Sequence, residues 1–449
     1  TISQCLTWPL IKFKKMTIIR TYTIIFTTIL CVARLAVQAQ MVGKSESGPF
    51  LLKNAMIHTI SKGVLTGDIL IKGDVITMIG ANLQPPGKFT VIDCTGKHIY
   101  PGMIDLGTQL GLSEIESISV TNDFNEIGDV VPQMLALTAV NPNTVTIPVT
   151  RTHGITTVLV SPKGGRFPGT AALIDLHGYT PAQMDATFRA VVMNFPSSGR
   201  RGRYDRRSDE DIKKESEKAF KKLNELWDEA VLYARMDSTA KVQKTKLQGY
   251  QPEMDALKAV VRKQQPLFIE VNKSTDIIQA LEWIKKTGAK AVLTGVAEGY
   301  RVADKIAAAG IAVVTGPVLD TPRRPYDKYD APYTNAGQML KAGVKVAIRS
   351  DEAENVRNLP FNAGFAAAYG MGKEEAYRST SLTPAEIIGM ADRYGSLEEG
   401  KIANLFICDG DPMETKTKIE QVFIRGWKIP MENRHTLLYD EFLQRSPGR

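Results

Sequence analysis

Short apolar segments, bounded by glycine, proline and acidic residues, recur along the middle of the chain and alternate with stretches of helical periodicity. Apolar runs of this kind are typical of strands buried on both faces, as in a parallel sheet. Eight such runs occur, at residues 99–105, 155–161, 171–176, 190–194, 267–271, 291–295, 311–315 and 345–350. Because eight parallel βα units close a barrel, the pattern predicts an α/β fold with a TIM-like (β/α)8 barrel over residues 101–395. Functional groups are then expected at the carboxyl ends of its strands.

The two ends of the chain carry a second strand pattern. Short aliphatic runs broken by glycine and aspartate lie at residues 51–57, 67–71, 75–79 and 91–94, and again at 404–408 and 421–425. Alternating short strands with turn residues between them are typical of a small sheet domain. We therefore predict that residues 48–100 and 396–430 build one composite β-sandwich from both chain ends, followed by a C-terminal tail over residues 431–449.

One long interruption, residues 198–265, separates the fourth and fifth predicted strands. It contains the capping-box pattern Ser208-Asp209-Glu210-Asp211 and then apolar residues at helical spacing, which predicts a charged helical insertion within the barrel. The segment has 17 lysine and arginine residues against 12 aspartate and glutamate residues. Few aromatic residues accompany these charges, so we interpret them as a solvated face and expect no nucleic-acid partner.

Residues 1–39 have the pattern of a secretory signal peptide. Basic residues precede an apolar run over residues 22–33, and Val37-Gln38-Ala39 offers small residues for cleavage. Met16 is an alternative start, because residues 1–15 add nothing to this pattern. The apolar run is too short to cross a bilayer and is followed by Arg34. We predict an exported protein, periplasmic or secreted, with no membrane attachment after the leader is removed.

Removal of the leader changes what the charge and the cysteines imply. The leader contains five basic and no acidic residues, so the net charge of +8 falls to +3, and the basic excess lies in the insertion. Of the four cysteines, only Cys94 and Cys408 remain. An exported protein could join them in a disulfide, but two buried thiols on strands are the favoured interpretation.

The start of the predicted barrel resembles the amidohydrolase superfamily. Residues 101–105 read Pro-Gly-Met-Ile-Asp, which is similar to the motif that opens the barrel in that superfamily, and residues 395–405 are similar to its closing motif, with Asn404 where aspartate is usual. Residues 315–372 resemble an exported subgroup related to imidazolonepropionase. The resemblance covers roughly residues 50–439 apart from the insertion, and it implies the same barrel-plus-sandwich fold.

The resemblance also implies a metal centre that this sequence does not match. The family places a His-x-His pair after strand one, histidines at strands five and six, and an aspartate at strand eight. Here Gly107 and Gln109 replace the pair, Glu270 stands on strand five, strand six has no histidine, and only Asp351 matches. We expect no binuclear zinc site and no cofactor. The one alternative is a single weakly bound divalent metal held by Asp351, Glu270 or His177.

Polar residues still gather at the predicted mouth of the barrel. Asp351 is the candidate general base and Glu270 its partner, since two carboxylates can share acid and base roles when their pKa values differ. Candidate substrate-binding residues follow strands two, seven and eight, and they are Lys163, Arg166, Arg323, Arg324, Asn355 and Arg357. The alternative for the arginines is ion pairing with acidic residues of their own loops.

These observations lead to two hypotheses about function. The first is an exported hydrolase that acts on carbon–nitrogen bonds, other than peptide bonds, of a small anionic substrate without the usual metal pair. The second is a non-catalytic homologue that binds a small-molecule ligand or serves as the partner subunit of an active paralogue. Either could form a homo-oligomer, and the second implies a hetero-oligomer.

Overall fold

The computed structural model describes residues 43–115, 117–199, 205–245, 249–324 and 326–445. The predicted leader lies outside these residues. Residues Lys44–His435 form one compact unit. Among the described helices, none is long and apolar enough to cross a membrane. The residue limits predicted for the sandwich and the barrel stay predictions.

The described part of the chain contains two large sheets. The first is built from β1 (Glu46–Ser47), β2 (Phe50–His58), β3 (Val64–Lys72), β4 (Val75–Gly80), β5 (Thr90–Asp93), β6 (His98–Pro101), β15 (Leu405–Cys408), β16 (Ile419–Ile424) and β17 (Trp427–Ile429). The second is built from β7 (Met103–Thr108), β8 (Ile155–Val160), β9 (Gly169–Asp175), β10 (Asp185–Asn194), β11 (Leu267–Val271), β12 (Ala291–Gly295), β13 (Val313–Thr315) and β14 (Val346–Ile348).

The helices lie mainly between the strands of the second sheet. They are α1 (Ala136–Ala139), α2 (Thr146–Arg151), α3 (Pro181–Met184), α4 (Asp209–Gln243), α5 (Pro252–Val261), α6 (Ser274–Thr287), α7 (Ala303–Ala309), α8 (Ala331–Lys341), α9 (Leu359–Ala366), α10 (Lys373–Arg378), α11 (Leu382–Ile387) and α12 (Arg434–Gln444). Helix α4 is the centre of the insertion. Ser208 caps it by accepting the backbone N–H of Asp211 at 3.1 Å, and its apolar face packs on the barrel through the edge-to-face pair of Trp227 and Trp283.

The first sheet joins strands from both ends of the chain. Its order is β1-β17-β16-β15-β6-β2-β3-β4, with β5 beside β2, so the C-terminal strand β15 pairs antiparallel with β6, the strand that leads into the barrel. The main hydrophobic cluster of this sheet includes Phe50, Ile57 and Phe423. Cys94 and Cys408 are both buried and free. The strand-rich second domain predicted from the sequence is therefore present.

The second sheet is a nearly closed barrel, and it confirms the predicted TIM-like α/β fold. All eight predicted strands form, in the order β7 to β14. The barrel approaches closure between its first and last strands, where the backbone N–H of Asp351 donates to the carbonyl of Gly107 at 3.0 Å. This contact joins the end of β7 to the residues that follow β14, which is where the family's metal ligands are expected.

The prediction of eight parallel strands is wrong for β9, which runs antiparallel to both of its neighbours. Only residues 161–168 connect β8 to β9, and a parallel connection needs a crossover of a dozen residues or more. The reversal sends the end of β9 to the face opposite the mouth. His177, which follows β9, therefore lies beside Trp427, with ring centroids 5.4 Å apart, and cannot serve as a ligand at the mouth.

The reversed strand also explains the unusual Asn404. At the end of β9, the buried carboxylate of Asp175 accepts hydrogen bonds from Thr157 Oγ1 at 2.8 Å, Asn404 Nδ2 at 2.9 Å and the Tyr394 hydroxyl at 3.0 Å. Burial raises the pKa of Asp175, and these hydrogen bonds oppose the shift. An amide at position 404 can donate to this carboxylate, whereas an ionised aspartate could not.

Candidate functional site

A cavity of about 320 Å³ lies at the mouth of the barrel. Its wall is formed by the ends of β7, β10, β11 and β12, by the loop after β8 and by the residues after β14. The lining residues are Leu106, Gln109, Ser161, Pro162, Lys163, Gly164, Val192, Asn194, Phe268, Glu270, Thr294, Arg349 and Asp351. The volume is in the range of small-molecule sites. We call this space the mouth cavity.

Arg349 is the most unusual side chain of the mouth cavity, because a guanidinium only 5% exposed stands at the end of an apolar strand. Its Nη2 lies 2.8 Å from Oε2 of Glu270 and 3.5 Å from Oδ1 of Asp351. Burial lowers its pKa, but the charges of Asp351 and Glu270 outweigh that effect and raise it, so the group stays cationic. Its Nε has no hydrogen-bond partner among the described residues.

The guanidinium depends on the absence of a side chain at Gly107. A Cβ placed on Gly107 would lie 2.7 Å from Cδ of Arg349 and 3.2 Å from its Nη1, closer than ordinary van der Waals contact. Position 107 is where the resemblance places the first histidine of the His-x-His pair. Gly107 and Arg349 are thus a complementary pair, in which the missing side chain makes room for the cation.

Glu270 is held as an ionised carboxylate. It accepts hydrogen bonds from Thr294 Oγ1 at 2.8 Å and Asn272 Nδ2 at 3.0 Å, in addition to its contact with Arg349. Burial raises its pKa, but the charge of Arg349 and the three hydrogen bonds outweigh this effect, and the net shift is downward. This environment favours the ionised form of Glu270, and the acid or base role considered for it from the sequence stays a prediction.

Asp351 is the second carboxylate that pairs with Arg349. It has a left-handed backbone, with φ of 56°, which is uncommon for a residue other than glycine and often found at functional sites. Its Oδ1 lies 3.2 Å from Nζ of Lys163 and 3.5 Å from Nη2 of Arg349. The carboxylate is thus flanked by two cations, one buried and one 44% exposed.

A third carboxyl group, Asp105, is fully buried close to the guanidinium. It accepts the backbone N–H groups of Gly107 at 3.1 Å and of Ser350 at 3.1 Å. Burial raises its pKa to about 7, against the opposing effects of those hydrogen bonds and of the charge on Arg349. Asp105 therefore holds a proton over part of the physiological pH range.

These residues do not fit the binuclear metal centre that the fold family implies. Within the described ranges, no three histidine, cysteine, aspartate or glutamate side chains are grouped so that they could hold a metal ion. The reason is visible in the geometry, since the two carboxylates best placed as ligands already share the permanent cation of Arg349. A divalent metal between Glu270 and Asp351 would meet a like charge at contact distance.

The arginines after β13 are paired within their own region. Nη2 of Arg323 lies 3.1 Å from Oδ2 of Asp320. Arg324 donates from Nε and Nη2 to the buried carboxylate of Glu298, each at 2.5 Å. Its Nη1 donates to the hydroxyl of Tyr326 at 2.9 Å. Neither arginine lines the mouth cavity. Arg323 forms the ion pair within its own loop that was considered as the alternative, whereas Arg324 pairs with Glu298, which follows β12. Neither arginine is placed at Asp351.

The other three candidate binding residues also lie outside the mouth cavity. Arg166 donates to the carbonyl of Asn194 at 2.5 Å and lines the grooves against helix α4. Arg357 donates to Oδ1 of Asn355 at 3.1 Å. Burial lowers the pKa of His153, which lies shortly before β8, and the positive charge of Arg357 lowers it further. Of the eight predicted site residues, the structure brings together Asp351, Glu270 and Lys163.

Sequence reasoning missed Arg349, the residue around which the site is built. A signal was present, because Arg349 is a charged residue at the end of an apolar strand, two positions before the matching aspartate. Its importance depends on Glu270, which lies 79 residues earlier in the chain. The link between Arg349 and the vacant position at Gly107 could be seen only in three dimensions.

Comparisons with known proteins agree with this architecture. The model of the Amidohydrolase family matches residues 99–428. A curated relative, Amidohydrolase tasK from Hapsidospora irregularis, is 21% identical over 438 residues, and the match covers 84% of this chain. This chain spans only 43% of the length of that relative.

Solved structures of related hydrolases share the fold. An amidohydrolase from Thermotoga maritima MSB8 is 24% identical, with a TM-score of 0.76, and the match covers 86% of this chain and all of that one. Molinate hydrolase is 14% identical, with a TM-score of 0.53, over 87% of this chain and 96% of that enzyme. Because the family model covers most of the chain and the barrel carries its opening and closing motifs, this protein belongs to the amidohydrolase family.

Proposed function

We propose that this chain is a small-molecule-binding member of the amidohydrolase family that has lost metal-dependent hydrolysis. The observation that supports the proposal is the buried Arg349, which pairs with Glu270 and Asp351 beside a glycine at the family's histidine position. A guanidinium supplies a fixed positive charge, but it has no open coordination position and cannot activate a water molecule as a bound metal does.

The charges of the mouth cavity favour a neutral or zwitterionic ligand. Lys163 and Arg349 are balanced by Glu270 and Asp351, so the wall has no net charge to attract the anion expected from the sequence. A ligand with one cationic and one anionic group could instead contact both signs. Free amino acids have this chemistry and a suitable size.

The first experiment measures binding. Thermal unfolding of the mature protein is recorded with each of the common amino acids, and we expect at least one to raise the midpoint by mass action. Lys163→Ala should abolish that shift, whereas Lys213→Ala, which removes a lysine with a side chain 77% exposed on helix α4, should retain it. No shift with any amino acid, or equal shifts in both variants, would refute the zwitterion proposal.

Hydrolysis of carbon–nitrogen bonds with Asp351 as general base is the second candidate. Its support is that Asp351 matches the family's aspartate, lines the mouth cavity and has a strained backbone. Turnover of N-acyl amino acids and cyclic amides by the wild-type chain, lost in Asp351→Asn and retained in Asp320→Asn, would establish this candidate. Equal background rates in all three proteins would leave binding as the function.

We also propose that the chain is exported and that it acts with a partner subunit. The support for export is the leader pattern of residues 1–39. The support for a partner is that the chain keeps the family's barrel motifs but has Gly107 and Gln109 where the family places its histidine pair. Expression of the full gene in its native host, followed by N-terminal sequencing and mass measurement of the native assembly, tests both. An unprocessed, monomeric protein in the cytoplasm would contradict them.

A further inference from the structure

A second cavity, of about 430 Å³, lies where the first sheet meets helix α10 of the barrel. Its wall includes His58, Val64, Tyr100, Tyr377, Asp411 and Met413. It shares no lining residue with the mouth cavity. We call it the junction cavity, and neither the family resemblance nor the proposed function uses it.

The floor of the junction cavity is aromatic. His58 and Tyr100 lie on the neighbouring parallel strands β2 and β6, where their rings stack with centroids 3.9 Å apart and an angle of 11°. Tyr377 from helix α10 packs against Tyr100 at 4.9 Å. Rings arranged in this way offer flat, polarisable surface, and aromatic pairs are more favourable than their buried area alone suggests.

This aromatic floor is uncharged near neutral pH. Burial, assisted by the neighbouring His98, lowers the pKa of His58 to about 4. The two imidazoles also share a hydrogen bond, with Nε2 of His58 2.9 Å from Nδ1 of His98, so at least one of these nitrogens carries no proton. At the rim, Lys373 is paired with Asp411 at 3.0 Å and with Glu414 at 3.8 Å. Glu374, Glu375 and Arg378 also line the cavity, so its charged residues, two basic and three acidic, have a net charge of −1.

One polar group on the floor lacks a partner. Tyr100 is 9% exposed and lines the junction cavity, yet no described residue forms a hydrogen bond with its hydroxyl. Its neighbour Tyr377 is different, because its hydroxyl donates to the carbonyl of Pro101 at 2.7 Å. The Tyr100 hydroxyl is not fully buried, so it is available to form a hydrogen bond with a ligand in the cavity.

We propose that the junction cavity is a binding site for a small uncharged aromatic molecule with one hydrogen-bonding substituent, such as a phenol. The ring lies against His58 and Tyr100, and the substituent exchanges a hydrogen bond with the Tyr100 hydroxyl. The volume accommodates a molecule of this size, and the net negative rim disfavours an anionic ligand. The site is independent of the mouth cavity and of its chemistry.

The test uses p-cresol as the probe and toluene as its counterpart without the hydroxyl. Binding to the mature protein is measured by saturation-transfer NMR titration. We expect p-cresol to bind saturably and more tightly than toluene. Tyr100→Phe keeps the ring and removes the hydroxyl, so it should weaken p-cresol about 3- to 10-fold, the size of one net hydrogen bond, and leave toluene unchanged.

A second pair of variants tests the location. Val64→Trp places a large ring at the cavity wall and should abolish binding of both probes, whereas Val91→Trp, at a valine that is 54% exposed elsewhere on the same sheet, should bind them as the wild type does. Lys163→Ala, in the mouth cavity, should also leave binding unchanged. Absence of saturable p-cresol binding, equal affinity for toluene, or retained binding in Val64→Trp would overturn the proposal.

Discussion

Replacement of Arg349 by methionine tests the electrostatic account of the site. The change keeps much of the buried stem but removes the charge that faces Glu270 and Asp351. Removal of one partner from a buried ion pair typically costs about 3–5 kcal/mol, because the other charge stays buried without compensation. The Arg349 side chain is 6% exposed, whereas Glu270 is 27% exposed and keeps two other hydrogen bonds. We therefore expect the lower end of the range, about 3 kcal/mol of unfolding free energy.

The assay is equilibrium unfolding in urea at neutral pH, combined with a double-mutant cycle. Arg349→Met together with Glu270→Gln should recover about 2 kcal/mol relative to the sum of the single variants, since no buried charge is then left alone. Arg323→Met is the matched control, because Arg323 is 52% exposed and its ion pair with Asp320 should contribute less than about 1 kcal/mol. A loss below about 1 kcal/mol for Arg349→Met, or strictly additive effects in the cycle, would refute the reasoning.

Three further predictions concern the surroundings of this ion pair. Gly107→Ala should lower the unfolding free energy by about 1–3 kcal/mol, because its Cβ would lie 2.7 Å from the Arg349 side chain. Gly80→Ala is the control and should have little effect, because its Cβ would have its nearest contact at 3.4 Å. Similar losses for the two variants in urea unfolding would contradict this prediction. The pKa of Asp105 is about 7 in the folded protein, against a usual value of 3.8. Between about pH 4 and pH 7 the folded state therefore holds a proton that the unfolded state releases, so the contribution of Asp105 to stability falls as the pH rises through this window. Asp105→Asn should gain up to about 4 kcal/mol relative to the wild type over that window, and a pH-independent difference would contradict the assignment. Asn404→Asp places a second carboxyl beside Asp175 and should lower the thermal midpoint at neutral pH but much less near pH 4; an equal loss at both values would exclude charge repulsion as the cause.

Local sequence patterns were sufficient for the architecture. Each of the eight barrel strands coincides with an apolar run between turn residues, and the strands at both chain ends follow the same rule. The direction of β9 was predicted wrongly, although the short connection at residues 161–168 contains the reason for it. Strand direction is a property of the connection and not of the strand, so a strand pattern alone does not report it.

The site was predictable only in part, because its central contacts join distant residues. Asp351 and Lys163 were found from their positions after strands, and the structure places them 3.2 Å apart. The partners of Arg323 and Arg324 depend on how the loops fold, which residue type alone does not determine. Arg349 required the position of Glu270 and the open space at Gly107, and neither is a property of the local sequence.

The central claim is that Arg349 replaces the family's metal centre, and the metal content of the protein tests it most directly. The mature chain is produced in zinc-supplemented medium, purified without chelators and analysed by inductively coupled plasma mass spectrometry, with the final dialysis buffer as the blank. We predict a transition-metal content far below one ion per chain. This content should not change after zinc is added to the purified protein and the excess zinc is removed by desalting. One or two tightly held zinc ions per chain would contradict the account, because Glu270 and Asp351 cannot bind them while paired with the guanidinium.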